Sequence, residues 1–556
     1  MHTHLRGRAT ASGLAAAVGL ATLVVAGSTA PAAAHGNAAP VVLKSFTTVS
    51  AEQQMAVLGN RFLFAAAAET GGVEPYISDG TAAGTRLLAD VVPGAGSSSP
   101  TEFTTVANRV YFTATTPATG RELWVTDGTT AGTTLVEDVF PGAGSGLPNG
   151  LVPLGDRLLL SVDDGTHGAE LWTSKGTAAT TSLVEDLTVG PDDTPITDLT
   201  AASGVAYFRA FFAGVGSEIV RTDGTDGGTQ VIDVTPGPVS SSPQDITHLS
   251  GSTVVFSADG PGSGRELWRS NGTPAGTQLI EDAVPGGNDS AISGLARVGD
   301  AVFYRGTHPT QGQELFATRG TAATTGIVKD LALGASSNPA DIVESGGRAY
   351  FTADVPGAGR EVHVSDGTVA GTARVEDVRP GPGDGVEGRL VRHGRGVAFG
   401  GNDGVSGTEP WLSNGSAAGT DRVRDVVPAN QGEARAVLSV GPRVVFHTLL
   451  EGQPTLLAVD AQRWFSVDSA TPKIIRKATL RVGKKVVVVP GAWEVGSTLK
   501  VRWLRNGKPI AGATRKAYRL TKADLGKKIR VRVTGTAPGH NPVARTSAPT
   551  GKVRKA

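Results

Sequence analysis

The chain has 556 residues, 51 basic against 51 acidic side chains, and no cysteine. A chain this long buries enough surface to fold without disulfides, and the missing cysteines exclude thiol nucleophiles, thiolate metal sites and redox motifs. Beyond the N-terminus no run approaches the ~18 apolar residues a membrane-spanning helix needs, which excludes a helical transmembrane segment.

Residues 1–34 have the form of a signal peptide. Arg6 and Arg8 precede the apolar run Gly13–Ala26, and Ala32-Ala33-Ala34 offers a small-residue cleavage site. That pattern is too short and wrongly flanked for a membrane anchor, so a secreted, extracellular or cell-surface protein is expected.

Residues 41–461 repeat. The Glu of GRELW recurs as Glu74, Glu122, Glu170, Glu218, Glu266, Glu314, Glu361 and Glu409, at spacings of 48 residues with one of 47. A second carboxylate follows each, 16 residues on in all units but the fourth, where it is 15: Asp90, Asp138, Asp186, Asp233, Asp282, Asp330, Asp377 and Asp425. In the second unit the β-branched and aromatic runs predict four strands: a, about Glu102–Val106; b, Arg109–Ala114; c, Glu122–Thr126; d, Thr134–Val139. Asp127-Gly128-Thr129 suits the c–d turn, since Gly accepts positive φ and Asp caps its own turn. Four strands in about 48 residues is the size of a propeller blade.

ELWVTDGT (122–129), EPYISDGT (74–81) and ELWRSNGT (266–273) resemble the ELW-x-x-DGT repeat of secreted bacterial proteins. The resemblance implies a β-propeller and brings no catalytic residues with it. Some units depart from the pattern: Lys175 and Arg319 replace the turn Asp, and His363 and Val220 replace the Trp.

Val41–Val49 reads as a strand d with no strand c before it, and Ala434–Asp460 supplies strands a, b and c with no d. The fragments complement each other, and joining them removes an exposed sheet edge. The expected fold is all-β: a closed propeller of nine blades, with eight as the alternative. The a–b and c–d turns then share one face. The longer b–c and d–a loops share the other, where a protein or polymer ligand is expected.

Residues 462–472 read as a linker. Residues 473–556 alternate like a small β-sandwich and resemble the immunoglobulin-like domains appended to exported actinobacterial proteins, with Trp503 as core Trp. Gln462–Ala556 holds 23 Lys and Arg against 3 Asp and Glu, a net charge of +20, which the remainder of the chain cancels at −20. An anionic envelope polymer is the partner this domain suggests.

The repeat carboxylates read as structural acceptors of N–H and hydroxyl donors, with repeated calcium sites as the alternative; no cofactor is otherwise expected. Trp124, Trp172, Trp268 and Trp411 hold one repeat position and read as core, not as sugar platforms. Gly383–Gly388 matches G-x-G-x-x-G but lies in a d–a loop without a following helix. No catalytic motif stands out. The leading expectation is a non-enzymatic exported interaction or adhesion protein, its propeller tethered by the basic domain. The alternatives are a propeller hydrolase or lyase acting on an extracellular polymer, which convergent carboxylates of perturbed pKa would favour, and a calcium-dependent adhesin.

Overall fold

The computed structural model describes residues 40–50, 55–68, 71–426, 432–461, 471–476, 480–491, 493, 498–536 and 543–556. The expected signal peptide, 1–34, and the part of the expected linker at 462–470 lie outside the described residues. Among the described residues no helix is long and apolar enough to cross a membrane. The fold is all-β, and its helical pieces are single 3-10 turns.

Among the described residues eleven separate sheets form, and none closes on itself. Nine come from the repeat region, each with the order a, b, c, d. In the second unit the strands are Thr101–Val106, Arg109–Thr116, Gly120–Thr126 and Thr134–Leu135. Strand d is shorter than Thr134–Val139 because Glu122 captures the N–H groups of Val139 and Phe140.

Strand b is buried on both faces, as in the Phe62–Ala66 run at 0% exposure, because each sheet stacks between two others. One hydrophobic cluster joins each sheet to the next. Phe103, Phe112 and Leu63 lie between the first and second sheets, and Tyr111, Leu158 and Trp172 between the second and third. Each buried ring contributes ~1.5–3 kcal/mol, so cohesion is spread along the series.

Val41–Ser45 pairs antiparallel with Gln453–Asp460, Ser45 opposite Thr455, and completes the sheet of Arg435–Val440 and Arg443–Leu450. That sheet shares a cluster with the first: Leu43, Phe46 and Val445 pack with Phe62, Phe64 and Tyr76. Arg443 Nη1 donates to Asp79 O at 2.8 Å, the contact Arg61 makes with Gly128 O at 3.1 Å one sheet on.

From the first sheet to the last, strand a packs beside strand a of the next sheet in the chain. Thr hydroxyls stitch them together: Thr105 to Val57 O at 2.7 Å, Thr200 to Ile246 O at 2.9 Å.

The C-terminal residues form two sheets, one of three strands and one of four, around a single cluster centred on Trp503.

Candidate functional site

The repeated glutamates come first. Glu74 is 3% exposed and the other seven are 0%. Each turns its oxygens onto donors of the d–a loop. Glu218 accepts Val234 N–H at 2.9 Å, Ser241 N–H at 2.7 Å and Ser241 Oγ at 2.5 Å. Glu314 accepts Leu331 N–H, Ser337 N–H and Ser337 Oγ. Glu74 takes Val91 and Ser98, Glu170 takes Leu187 and Thr194, and Glu409 takes Val426 N–H at 2.7 Å. In the units of Glu122 and Glu361 a glycine stands where others have Ser or Thr. A Cβ on Gly385 would lie 2.1 Å from Glu361 Oε1.

The held residue reaches onward: Thr115 N–H donates to Ser98 O, Asp259 N–H to Ser241 O, and Asp354 N–H to Ser337 O. Each Glu is therefore a latch between one unit and strand b of the next. Burial pushes Glu122, Glu266 and Glu361 up to about 7 against the pull of these donors.

The second carboxylates have a different task. Asp138, Asp186 and Asp233 accept the N–H of Gly142, Gly190 and Gly237 across a turn. Asp330 accepts Gln311 Nε2, and Asp377 and Asp425 pair with Arg374 and Arg422. Asp90 is exposed, and Asp282 keeps Oδ1 buried without a partner. Among the described residues no group of three or more His, Asp or Glu could hold a metal ion. Most of the Glu oxygens face N–H or hydroxyl donors, while Glu266 Oε1 is buried without a partner.

The turn Asp caps itself. Asp127 Oδ1 accepts both Thr129 N–H at 2.9 Å and Thr129 Oγ1 at 2.7 Å. Lys175 and Arg319, which replace it, pair with Asp156 and Asp300. These hydrogen bonds and ion pairs recur with the repeat.

A further recurrence lies on strand a. In seven units this strand carries a β-bulge, with register shifts at Thr101/Thr104, Asn149/Val152, Thr197/Thr200, Gln244/Thr247, Ser293/Ala296, Ala340/Val343 and Glu387/Val391. Each bulge holds one residue in the left-handed region: Glu102, Gly150, Asp198, Asp245, Gly294, Asp341 and Gly388. Glycine adopts that region freely and Asp tolerates it; Glu102, at φ 58°, is strained. Four of the seven are acidic, and all lie at the start of strand a, toward the b–c and d–a loops. The signal is present in the sequence as TEF, NGL, TDL, QDI, SGL, ADI and EGR, but only the packing of successive inner strands brings each of these residues beside the next. Val386–Gly388, expected in a loop, belongs to this strand set.

Asp245 is the most elaborated of them. Its Oδ2 accepts Gly294 N–H of the next sheet at 3.2 Å. Crowding by protein pushes its carboxyl up, and Asp198 on the neighbouring strand adds to that, against Arg265 and Arg305. Asp341 is pushed up by the same crowding, against Arg360. Arg305 Nε is buried and has no hydrogen-bond partner.

No family model matches the chain, and no curated protein matches it. Solved structures with some similarity include the β-propeller domain of the Trilobed protease from Pyrococcus furiosus (12% identity, 59% of this chain and 97% of that one, TM-score 0.33). Others are a puromycin-hydrolyzing peptidase of Mycobacterium tuberculosis (10%, 61% and 56%, 0.36) and prolyl oligopeptidase B from Galerina marginata (10%, 66% and 55%, 0.36). The chain spans little more than half the length of the two peptidases. These comparisons turn up peptidases and a protease's propeller, and the expectation of a non-enzymatic interaction protein is withdrawn. That expectation rested on finding no contiguous catalytic motif, whereas side chains gathered from separate inner strands leave none. At TM-scores of 0.33 and 0.36 no residue role and no substrate passes from these proteins to this chain.

Proposed function

We propose that the chain is an exported hydrolase or lyase of an extracellular polymer, with its acid–base chemistry at the inner-strand rim. The observation that carries this is Asp245: a carboxyl raised above its ordinary range, beside a second carboxylate, Asp198, with cationic side chains on its flanks. A raised carboxyl keeps its proton closer to neutrality and suits general-acid work, while a neighbouring carboxylate suits water activation. Arg265 and Arg305 place positive charge beside it, which suits an anionic group of the substrate. β-Bulges and left-handed residues concentrate where a fold re-aims side chains for function.

The reading includes a closed ring of nine blades, completed by Val41–Ser45. The cluster of Phe46, Phe62 and Val445 and the Arg443–Asp79 bond support it, since they repeat between last and first sheets the contacts made between first and second. It also includes kinship with ELW-x-x-DGT repeat proteins, an immunoglobulin-like C-terminal domain and removal of residues 1–34 on export.

The test is product release from a panel of polysaccharides and peptides, followed as new reducing ends, unsaturated ends or free amines. Asp245→Asn should lower turnover about 100-fold or more with an unchanged melting temperature, and Asp198→Asn should shift the basic limb of the pH profile. An Asp245→Asn protein as active as the parent would refute the assignment.

A further inference from the structure

The C-terminal unit carries a surface that the rim chemistry does not use. Thr498–Arg505 and Ile529–Thr536 pair antiparallel, with Trp503 opposite Val531 and Arg502 opposite Arg532. Alternation sends Val501, Trp503, Val531 and Val533 into the core. Lys500, Arg502, Arg530 and Arg532 are therefore left on the outer face, all exposed. Like charges directly opposite each other weaken a sheet, so the Arg502–Arg532 pair costs stability. Among the described residues no acidic side chain forms an ion pair with either arginine. Among the described residues of this unit Asp524 is the sole carboxylate, fully buried and already bound by Arg505 at 2.6 Å and by Tyr518 at 2.8 Å. Arg532 Nε reaches Thr546 Oγ1 at 3.4 Å, a neutral partner. A cleft of about 590 Å³ runs along the same strand, lined by Lys500, Arg502, Lys516, Thr514 and Thr534.

We infer that this face binds a linear phosphodiester polymer that carries no bases. Alternate residues on a strand stand ~6.8 Å apart and cross-strand partners ~5 Å apart; with Lys500 opposite Thr534, Arg502 opposite Arg532 and Arg530 opposite Leu504, the cations form a staggered row whose steps match a chain with one phosphate every ~6–7 Å. Arginine forks grip phosphate through two N–H bonds at once. The face offers no stacking platform for bases: Trp503 is buried, and Tyr518 is stacked against it at 5.6 Å between ring centroids. The polymer is read by its backbone charge alone. This inference stands whether or not the rim is catalytic.

The experiment uses the full chain and three labelled probes of equal length: poly(glycerol phosphate), mixed-sequence single-stranded DNA and a polyuronate, each across a salt series. Poly(glycerol phosphate) should bind, and its affinity should fall with salt. R502S/R532S should weaken it about tenfold at low salt and reduce the log–log salt slope by ~1.4, two phosphate contacts on a single strand. K522S/K552S removes as much charge away from the face and should change affinity less than about twofold. The melting temperature of R502S/R532S should stay level or rise, because the substitution relieves repulsion; a structural role would lower it. Equal loss in both double variants, or salt-indifferent binding, overturns the inference. Preference for DNA or for the polyuronate does so too. So does a radius of gyration that expands with salt in the parent but is already expanded in R502S/R532S, since the occupant would then be the chain's own acidic propeller.

Discussion

Glu266 shows at the scale of one side chain how a buried carboxyl is held here, through Oε2 alone. Its carboxylate sits at 0% exposure and accepts Ala283 N–H and Ser290 Oγ. Replacing it by Ala leaves those donors unpaired in the interior, and Glu266→Ala should cost ~1–3 kcal/mol in urea unfolding. Gly385 is the complementary test. Its missing Cβ makes room for Glu361, so Gly385→Ala should cost ~1–3 kcal/mol by overpacking. The glutamates also set a pH dependence. In the folded protein Glu122, Glu266 and Glu361 titrate at about 7, against an ordinary value of 4.5. The folded state thus holds protons that the unfolded chain has released, so this contribution is complete below about 4.5 and is lost as pH rises through 7. The melting temperature of the repeat region should therefore rise as pH is lowered from 8 toward 5. A flat profile would show that the N–H donors outweigh burial.

At the scale of the element, Val41–Ser45 matters beyond its length. It covers the edge of Gln453–Asp460 and brings Leu43 and Phe46 to the cluster with Phe62 and Tyr76. Deleting residues 41–45 should lower the melting temperature by roughly 5 °C or more and promote aggregation through the bared edge. An unchanged melt would mean the last and first sheets are not held through this strand. The c–d turns need less: Asp127 serves Thr129 alone, and Asp127→Ala should cost about 1 kcal/mol.

The whole molecule combines a series of sheets, each packed on its neighbours, with a two-sheet unit built around its own cluster. Calorimetry should resolve two transitions, because the clusters are separate. Their pH responses should differ. Burial by itself would raise Asp524, but Thr521 N–H, Arg505 and Tyr518 outweigh it and hold the carboxyl below its ordinary range. The stability it contributes is present above that range and lost only in acid. Between pH 8 and 5 the repeat-region transition should move and the C-terminal one should stay. One transition moving as a whole would show the two parts unfolding together.

The 48-residue period, the strand pattern of each unit, the pairing of Val41–Ser45 with Gln453–Asp460 and the opposed charges were all legible in the sequence. Each depends on local alternation, turn chemistry or simple counting, which the order of residues carries directly. The end of strand d was not legible, because it depends on a carboxylate 17 residues earlier capturing a backbone N–H. Nor was the rim. Asp198, Asp245 and Asp341 sit in separate repeats, and each looks like an ordinary turn residue where it stands. Only the packing of strand a against strand a sets Asp198 beside Asp245, with Asp341 two strands further on, and burial raises Asp245 and Asp341. Chemistry that arises from residues one period apart belongs to the tertiary structure, since no stretch of chain contains it.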